Sequence, residues 1–172
     1  MNLIDTIRVV EDYPKPGISF KDITTLLHDP IAYREAIRQL IEIAKTYDFD
    51  YVVAAEARGF VLGTPLAYEL GKGFIPVRKP GKLPAEVFHY EYELEYGVDA
   101  LEIHRDAIRP GDRVLLVDDL LATGGTSEAM VHMVEALGGT VVACLYLIEL
   151  GFLPGREHLK DYPVHSVVNY KE

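Results

Sequence analysis

Val114-Leu115-Leu116-Val117-Asp118-Asp119-Leu120-Leu121-Ala122-Thr123-Gly124-Gly125-Thr126-Ser127-Glu128 is the stretch that decides the fold. Val114 to Val117 has the length and composition of a buried strand, two aspartates stand at its carboxyl end, and Ala122 to Thr126 carries the chain into a helix through Leu137. Gly138-Gly139 stops that helix. A strand covered on both faces loses its polar alternation, so an unbroken apolar run predicts parallel pairing between layers of helix.

The same unit recurs on either side. Upstream, Tyr51 to Ala55 is a strand-length apolar run, followed by Glu56-Ala57-Arg58-Gly59-Phe60 and a helical stretch ending near Gly71. Phe74 to Val77, Arg113 to Val117, Thr140 to Ile148 and Val164 to Val168 read as further strands. Asp29-Pro30, followed by Tyr33, Ile37, Leu40, Ile41 and Ala44, gives an N-cap, a first-turn proline and apolar residues at helical spacing. The expected class is α/β, a mostly parallel twisted sheet flanked by helices. One segment departs from it. From Val87 to Tyr96, Tyr90, Tyr92, Leu94 and Tyr96 alternate with His89, Glu91, Glu93 and Glu95, the period of a half-exposed antiparallel strand. A hairpin with Ala100 to His104 is expected there. At 172 residues the whole chain, 1–172, is expected to form a single domain.

Ligands of open α/β sheets bind beyond the carboxyl ends of the strands, and the turn after Asp119 suits a phosphate. Gly124 and Gly125 let backbone approach an anion closely, N–H groups at the helix start point toward it, and Thr123 and Thr126 add hydroxyl donors. The turn lacks the lysine of a nucleoside-triphosphatase loop and the G-x-G-x-x-G of a dinucleotide fold. Asp118 and Asp119 would repel a phosphate, so they are assigned to accept hydrogen bonds from neutral hydroxyls, as carboxylates do on ribose. Phosphate beside diol implies a ribose 5-phosphate unit.

Composition removes other classes. A net charge of −10 opposes a broad nucleic-acid surface, which needs excess Lys and Arg. The longest apolar stretch, Val141 to Ile148, is far short of the ~20 residues that cross a bilayer, and no basic-then-apolar leader opens the chain, so a cytoplasmic location is expected. The single cysteine, Cys144, lies inside that run and reads as a buried, inert thiol. The 6 histidines show no zinc spacing, and no protein-bound metal is expected.

The Val114 to Glu128 stretch resembles the phosphoribosyl-pyrophosphate signature of the type I phosphoribosyltransferases, and DDLLATGGT is similar to the version carried by the adenine-using branch. The resemblance extends through YPKPGISFKDIT, EARGF, PVRKPGKLP, YELEYG and the segment ending IELGFLPGREHL, in the family's order. It implies purine salvage: transfer of the phosphoribosyl group from 5-phosphoribosyl 1-pyrophosphate to adenine, giving AMP and pyrophosphate. The 5-phosphate and ribose would fall to Asp118, Asp119, Ala122, Thr123, Gly124, Gly125 and Thr126. Pyrophosphate would fall to Glu56, Ala57, Arg58, Arg78, Lys79 and Lys82, in a region where Arg58, Lys72, Arg78, Lys79 and Lys82 gather against the overall acidity. Adenine would meet Ile18, Phe20 and Lys21, with Phe20 stacking on the ring and Ile18 backbone reading its edge. Glu95 would serve as the acid/base carboxylate and Arg58 as the second catalytic group.

Residues 1–28 would then form a base-binding hood and 79–104 a lid hairpin. The resemblance further implies Mg2+ carried by the substrate rather than by the protein, and a homodimer. Two rivals stay open: a transferase for another base, and a regulator that senses phosphoribosyl pyrophosphate without catalysis. The regulator is opposed by the lack of spare length or a basic helix.

Overall fold

A computed structural model describes residues 1–94 and 97–172. The chain divides into two compact units, Met1–Gln39 and Leu40–Glu172.

In the first unit a 3-10 turn, Leu3–Thr6, leads into β1 (Arg8–Val10), which pairs antiparallel with β2 (Phe20–Asp22). Strands this short carry no readable period, so their order comes from polar anchors. Asp22 accepts from Arg8 Nη2 at 2.6 Å and, through its other oxygen, from the Thr24 amide and hydroxyl at 2.9 and 2.7 Å. The Thr24 hydrogen bonds, followed by that of Arg8, hold the Asp22 carboxyl down at about 2. The Thr24 contacts also start the short helix α1 (Thr24–His28). Helix α2 (Pro30–Ala44) begins as its sequence predicts: Asp29 Oδ1 accepts from Ile31 N and Ala32 N at 2.9 and 3.2 Å, and Pro30 occupies the first turn.

The second unit is a five-stranded sheet with every pair parallel. β3 (Tyr51–Ala55) leads through α3 (Arg58–Leu70) to β4 (Gly73–Val77). The hairpin follows as β5 (Val87–Leu94) and β6 (Gly97–His104). β7 (Arg113–Leu121) leads through α4 (Gly125–Ala136) to β8 (Thr140–Leu150), a 3-10 turn (Gly155–Leu159) and β9 (Val164–Tyr170). The spatial order is β4-β3-β7-β8-β9. The chain therefore crosses outward from β3 to β4, then re-enters on the other side of β3 and winds the opposite way. With right-handed crossovers, α3 and α4 cover opposite faces. Side chains bear this out: a Cβ on Gly63 of α3 would lie against Ala54 and Val52, whereas Val53 and Leu116 join Met130, Met133 and Val134 of α4 in the core.

Phe88, Tyr90 and Tyr92 of β5 pack onto that α4-side core, and Glu91 and Glu93 point to solvent, which accounts for the period-two pattern. Cys144 is buried in β8, where desolvation pushes its thiol up to about 12.

Several boundaries differ from the sequence reading, with β8 running on to Leu150 and β9 to Tyr170. β7 continues through Asp118 and Asp119 to Leu121, because Asp118, Leu120 and Leu121 stay paired with β8, so the aspartates are strand residues rather than its exit. α3 starts at Arg58 instead of after Phe60, following a cis peptide bond between Glu56 and Ala57. The second hairpin strand begins at Gly97 rather than Ala100, since pairing with β5 runs to that end.

Candidate functional site

The reversal of winding between β3 and β7 leaves a crevice at their carboxyl ends, where neighbouring loops depart in opposite directions. A cavity of about 350 Å³ lies there. Glu56, Ala57 and Arg58 line it from β3, Asp118 and Asp119 from β7, Ala122 to Ser127 from the following turn, and Lys79 from the end of β4. Most of the expected ribose-phosphate and pyrophosphate residues thus come together in one place.

The turn has the geometry an anion needs. Gly124 adopts φ +90°, a left-handed conformation that glycine takes without steric cost, and α4 starts at Gly125 with no side chain capping it. The helix's own bonding begins with Glu128 N donating to Gly124 O at 2.9 Å, so the amides of Gly125, Thr126 and Ser127 are not used inside the helix. These first-turn N–H groups line the cavity at the positive end of the helix dipole. Ser127 is fixed from below, where the buried Tyr146 hydroxyl donates to its Oγ at 2.6 Å.

The two aspartates differ. Asp119 Oδ2 accepts from Arg58 Nε at 2.6 Å, joining β7 to the start of α3. Asp118 accepts from the Asp119 amide at 2.8 Å. Burial, reinforced by the charge of Asp119, pushes the Asp118 carboxyl well above the usual carboxylate range. Held in such different surroundings, the two carboxyls offer separate acceptors for a pair of sugar hydroxyls.

Glu56 organises the opposite wall. Its Oε1 accepts from the Lys79 amide at 2.8 Å and from Arg78 Nε at 3.1 Å. Arg78 also exchanges backbone bonds with Glu102 of β6, so its side chain is held toward Glu56 and does not line the cavity. Lys79 does line it, and its Nζ donates to Asp99 at 2.6 Å. Burial pulls the Lys79 ammonium down, but the Asp99 hydrogen bond and nearby charges outweigh it, leaving the group raised overall. Tyr92 joins this cluster, donating to Asp99 at 3.3 Å with Thr126 Oγ1 at 3.4 Å. Lys82 is exposed and lies outside the cavity lining.

Ile18, Phe20 and Lys21 belong to the first unit. The Ile18 amide donates to Lys15 O at 3.2 Å and its carbonyl accepts from Tyr13 N at 3.1 Å, so its edge is already engaged in a turn. Phe20 packs edge-on against Tyr13, with ring centroids 5.2 Å apart, and Lys21 Nζ donates to Ser19 Oγ at 2.9 Å. Glu95 lies outside the described residues. Sequence reasoning missed Asp99, Tyr92, Ser127 and Tyr146. Ser127 sits inside the deciding stretch and its place at the helix start was readable, whereas the other three carry no local signal.

A profile of the phosphoribosyl transferase domain matches residues 22–170. The chain is 60% identical to an adenine phosphoribosyltransferase of Alkaliphilus metalliredigens, over 99% of this chain and 100% of the relative. It is similar to the crystal structure of an adenine phosphoribosyltransferase from Thermoanaerobacter pseudethanolicus, with 54% identity, a TM-score of 0.95 and 98% of each chain covered. A Saccharomyces cerevisiae adenine phosphoribosyltransferase, solved with an imino-altritol bisphosphate and adenine, is 39% identical with a TM-score of 0.89, covering 96% of each chain.

Proposed function

The chain belongs to the phosphoribosyl transferase domain family, and from that premise we propose that it transfers the phosphoribosyl group of 5-phosphoribosyl 1-pyrophosphate to adenine, releasing AMP and pyrophosphate. One observation carries this reading: a helix-start anion turn, the adjacent Asp118 and Asp119 carboxyls, and the cations Arg58 and Lys79 converge on one cavity. Amides of Gly125 to Ser127 and the hydroxyls of Thr123 and Thr126 take the terminal phosphate. Asp118 and Asp119 take the ribose hydroxyls.

Pyrophosphate leaves the anomeric carbon as the base nitrogen arrives, so negative charge grows on the leaving group. Arg58 and Lys79 stand where it develops, and preorganised cations there lower the barrier without reorganisation. Arg78 and Lys82 are assigned to the same leaving group from outside the cavity lining. Mg2+ would come with the substrate and would help neutralise the departing pyrophosphate. The cavity fits such a guest: Asp119 is engaged by Arg58 and Asp118 accepts from the Asp119 amide, so coordination of a metal would be left to substrate and water.

Adenine is assigned to Phe20, the Ile18 backbone and Lys21 of the N-terminal segment, residues 1–28 acting as a hood. The hairpin within 79–104 is the lid that excludes water, its Tyr92 already resting beside Thr126. Glu95 is assigned to remove the proton the purine must lose. The enzyme is further assigned to the cytoplasm. The test is direct: protein, Mg2+, phosphoribosyl pyrophosphate and a panel of adenine, hypoxanthine, guanine, xanthine and orotate. AMP from adenine with little product from the others is expected, and chelation of Mg2+ should stop it. No AMP would overturn the assignment, and another nucleotide would redirect it.

A further inference from the structure

The segment after β8, Gly151-Phe152-Leu153-Pro154-Gly155-Arg156-Glu157-His158-Leu159, touches no expected substrate group, yet its backbone is interlocked with the phosphate turn. A Cβ on Gly155 would meet Ala122 O at 2.7 Å and Leu121 Cγ at 2.8 Å. A Cβ on Gly124 would meet Gly155 O at 2.9 Å and His158 Cβ at 3.3 Å. Main chain therefore lies against main chain at both glycines, with the Leu121 and His158 side chains closing the remaining space.

The 3-10 turn is in turn clamped to the sheet. Arg156 donates through Nε and Nη2 to Glu149 at 2.5 and 3.0 Å, and through Nη1 to Val164 O at 3.1 Å. Glu149 is buried, and it also accepts from Ser166 Oγ at 2.7 Å and Asn169 Nδ2 at 3.3 Å. The Arg156 hydrogen bonds, the largest influence, keep its carboxyl below the usual range. In the β7–β8 ladder Glu149 stands opposite Leu121, the residue that immediately precedes the phosphate turn. Arg156 thus grips the sheet beside the point where the turn leaves it. His158 Nδ1, 3.0 Å from Glu128 Oε2, reaches the first turn of α4 from the other side.

We propose that the Gly155–Leu159 turn is a buttress that fixes the position of residues 122–126, with Gly155 and Arg156 as positioning residues for the 5-phosphate of the substrate. The inference rests on the reading of that turn as the phosphate site. An anion held by several backbone amides needs all of them in register before it arrives. A wall that cannot yield supplies that register, and displacement of a binding element by about 1 Å can cost on the order of a hundredfold. Lys79 stands on the opposite wall, so the pyrophosphate contact should be indifferent to the buttress.

The experiment measures, on the full-length chain, the Kd of AMP, the Kd of magnesium pyrophosphate and the steady-state KM for phosphoribosyl pyrophosphate. Gly155→Ala is expected to weaken AMP by about tenfold or more, leaving pyrophosphate within about twofold and kcat within about threefold. Because Gly155→Ala could impair folding, Arg156 gives a second route from a half-exposed site. Arg156→Met should show the same selective loss of AMP, and Arg156→Lys, which keeps the charge but not the fork, should recover part of it. Equal loss of both ligands, or unchanged AMP binding in a folded Gly155→Ala or Arg156→Met protein, would overturn the proposal. Thr126→Val separates it from its premise. If that variant binds AMP like the parent chain, the phosphate reading itself fails and the buttress falls with it.

Discussion

Asp118 and Asp119 are neighbours in sequence but are held differently: Asp119 pairs with Arg58, and Asp118 accepts from the Asp119 amide. Asp118 is buried, and its carboxyl is pushed upward by desolvation and then by Asp119. The sign follows from linkage: a raised folded pKa means the native state binds the proton more tightly than the unfolded chain. The stabilisation is complete below the unfolded value of ~3.9 and is lost as pH climbs from there toward the raised folded value. Asp118→Asn keeps an acceptor for the Asp119 amide and removes the titration. Its unfolding free energy should therefore vary less with pH above about 4 than that of the parent chain. Urea titrations at several pH values check this, and parallel curves would refute it. Asp119→Asn should weaken the Arg58 pair and lower kcat/KM more than Asp118→Asn does. At Glu95, replacement by Gln should cut turnover far more than it weakens substrate binding. A variant of unchanged kcat would remove Glu95 from the mechanism.

At the scale of elements, Glu102 ties the hairpin to the loop before it. Glu102 of β6 accepts from the Gly81 amide at 2.9 Å and pairs with His89 Nδ1 at 2.8 Å, and Glu91 faces the other ring nitrogen at 3.5 Å. The Glu102 hydrogen bond, the largest influence, raises the His89 pKa. A raised histidine contributes when protonated, fully below the unfolded ~6.5, and that contribution disappears as pH rises through the higher folded value. NMR titration should place the His89 midpoint above 6.5 and bring it down in Glu102→Gln. A midpoint unmoved by the substitution would show that Glu102 is not its cause. In the sheet, Leu116 of β7 is fully buried at the centre of the strand order, and Leu116→Ala should cost about 2–5 kcal/mol in urea unfolding.

Across the whole molecule, the sequence was most legible where burial was two-sided. Runs such as Val114 to Val117 and Val141 to Ile148 admit few conformations, and Asp29-Pro30 marks a helix start by chemistry alone. β1 and β2 escaped notice because three residues show no period and polar anchors from Arg8 and Asp22 order them. The site was legible as a list of residues, but its pairings were not. Arg58 meets Asp119 only because β3 lies beside β7, and the Gly155–Leu159 buttress exists only because β8 returns the chain beside Leu121. Family resemblance supplies a further expectation at this scale, two chains per particle. Light scattering should give twice the 19.3 kDa chain mass, and a monomer at micromolar concentration would overturn it.

The chain's one thiol has a practical use. Cys144, shut inside β8 and protonated at any pH used for bioconjugation, will ignore maleimides in the folded protein. A cysteine introduced at exposed Val98, near the tip of the hairpin, would then be the sole attachment point for a fluorophore. Movement of that tip could be followed during turnover without first engineering a thiol-free background.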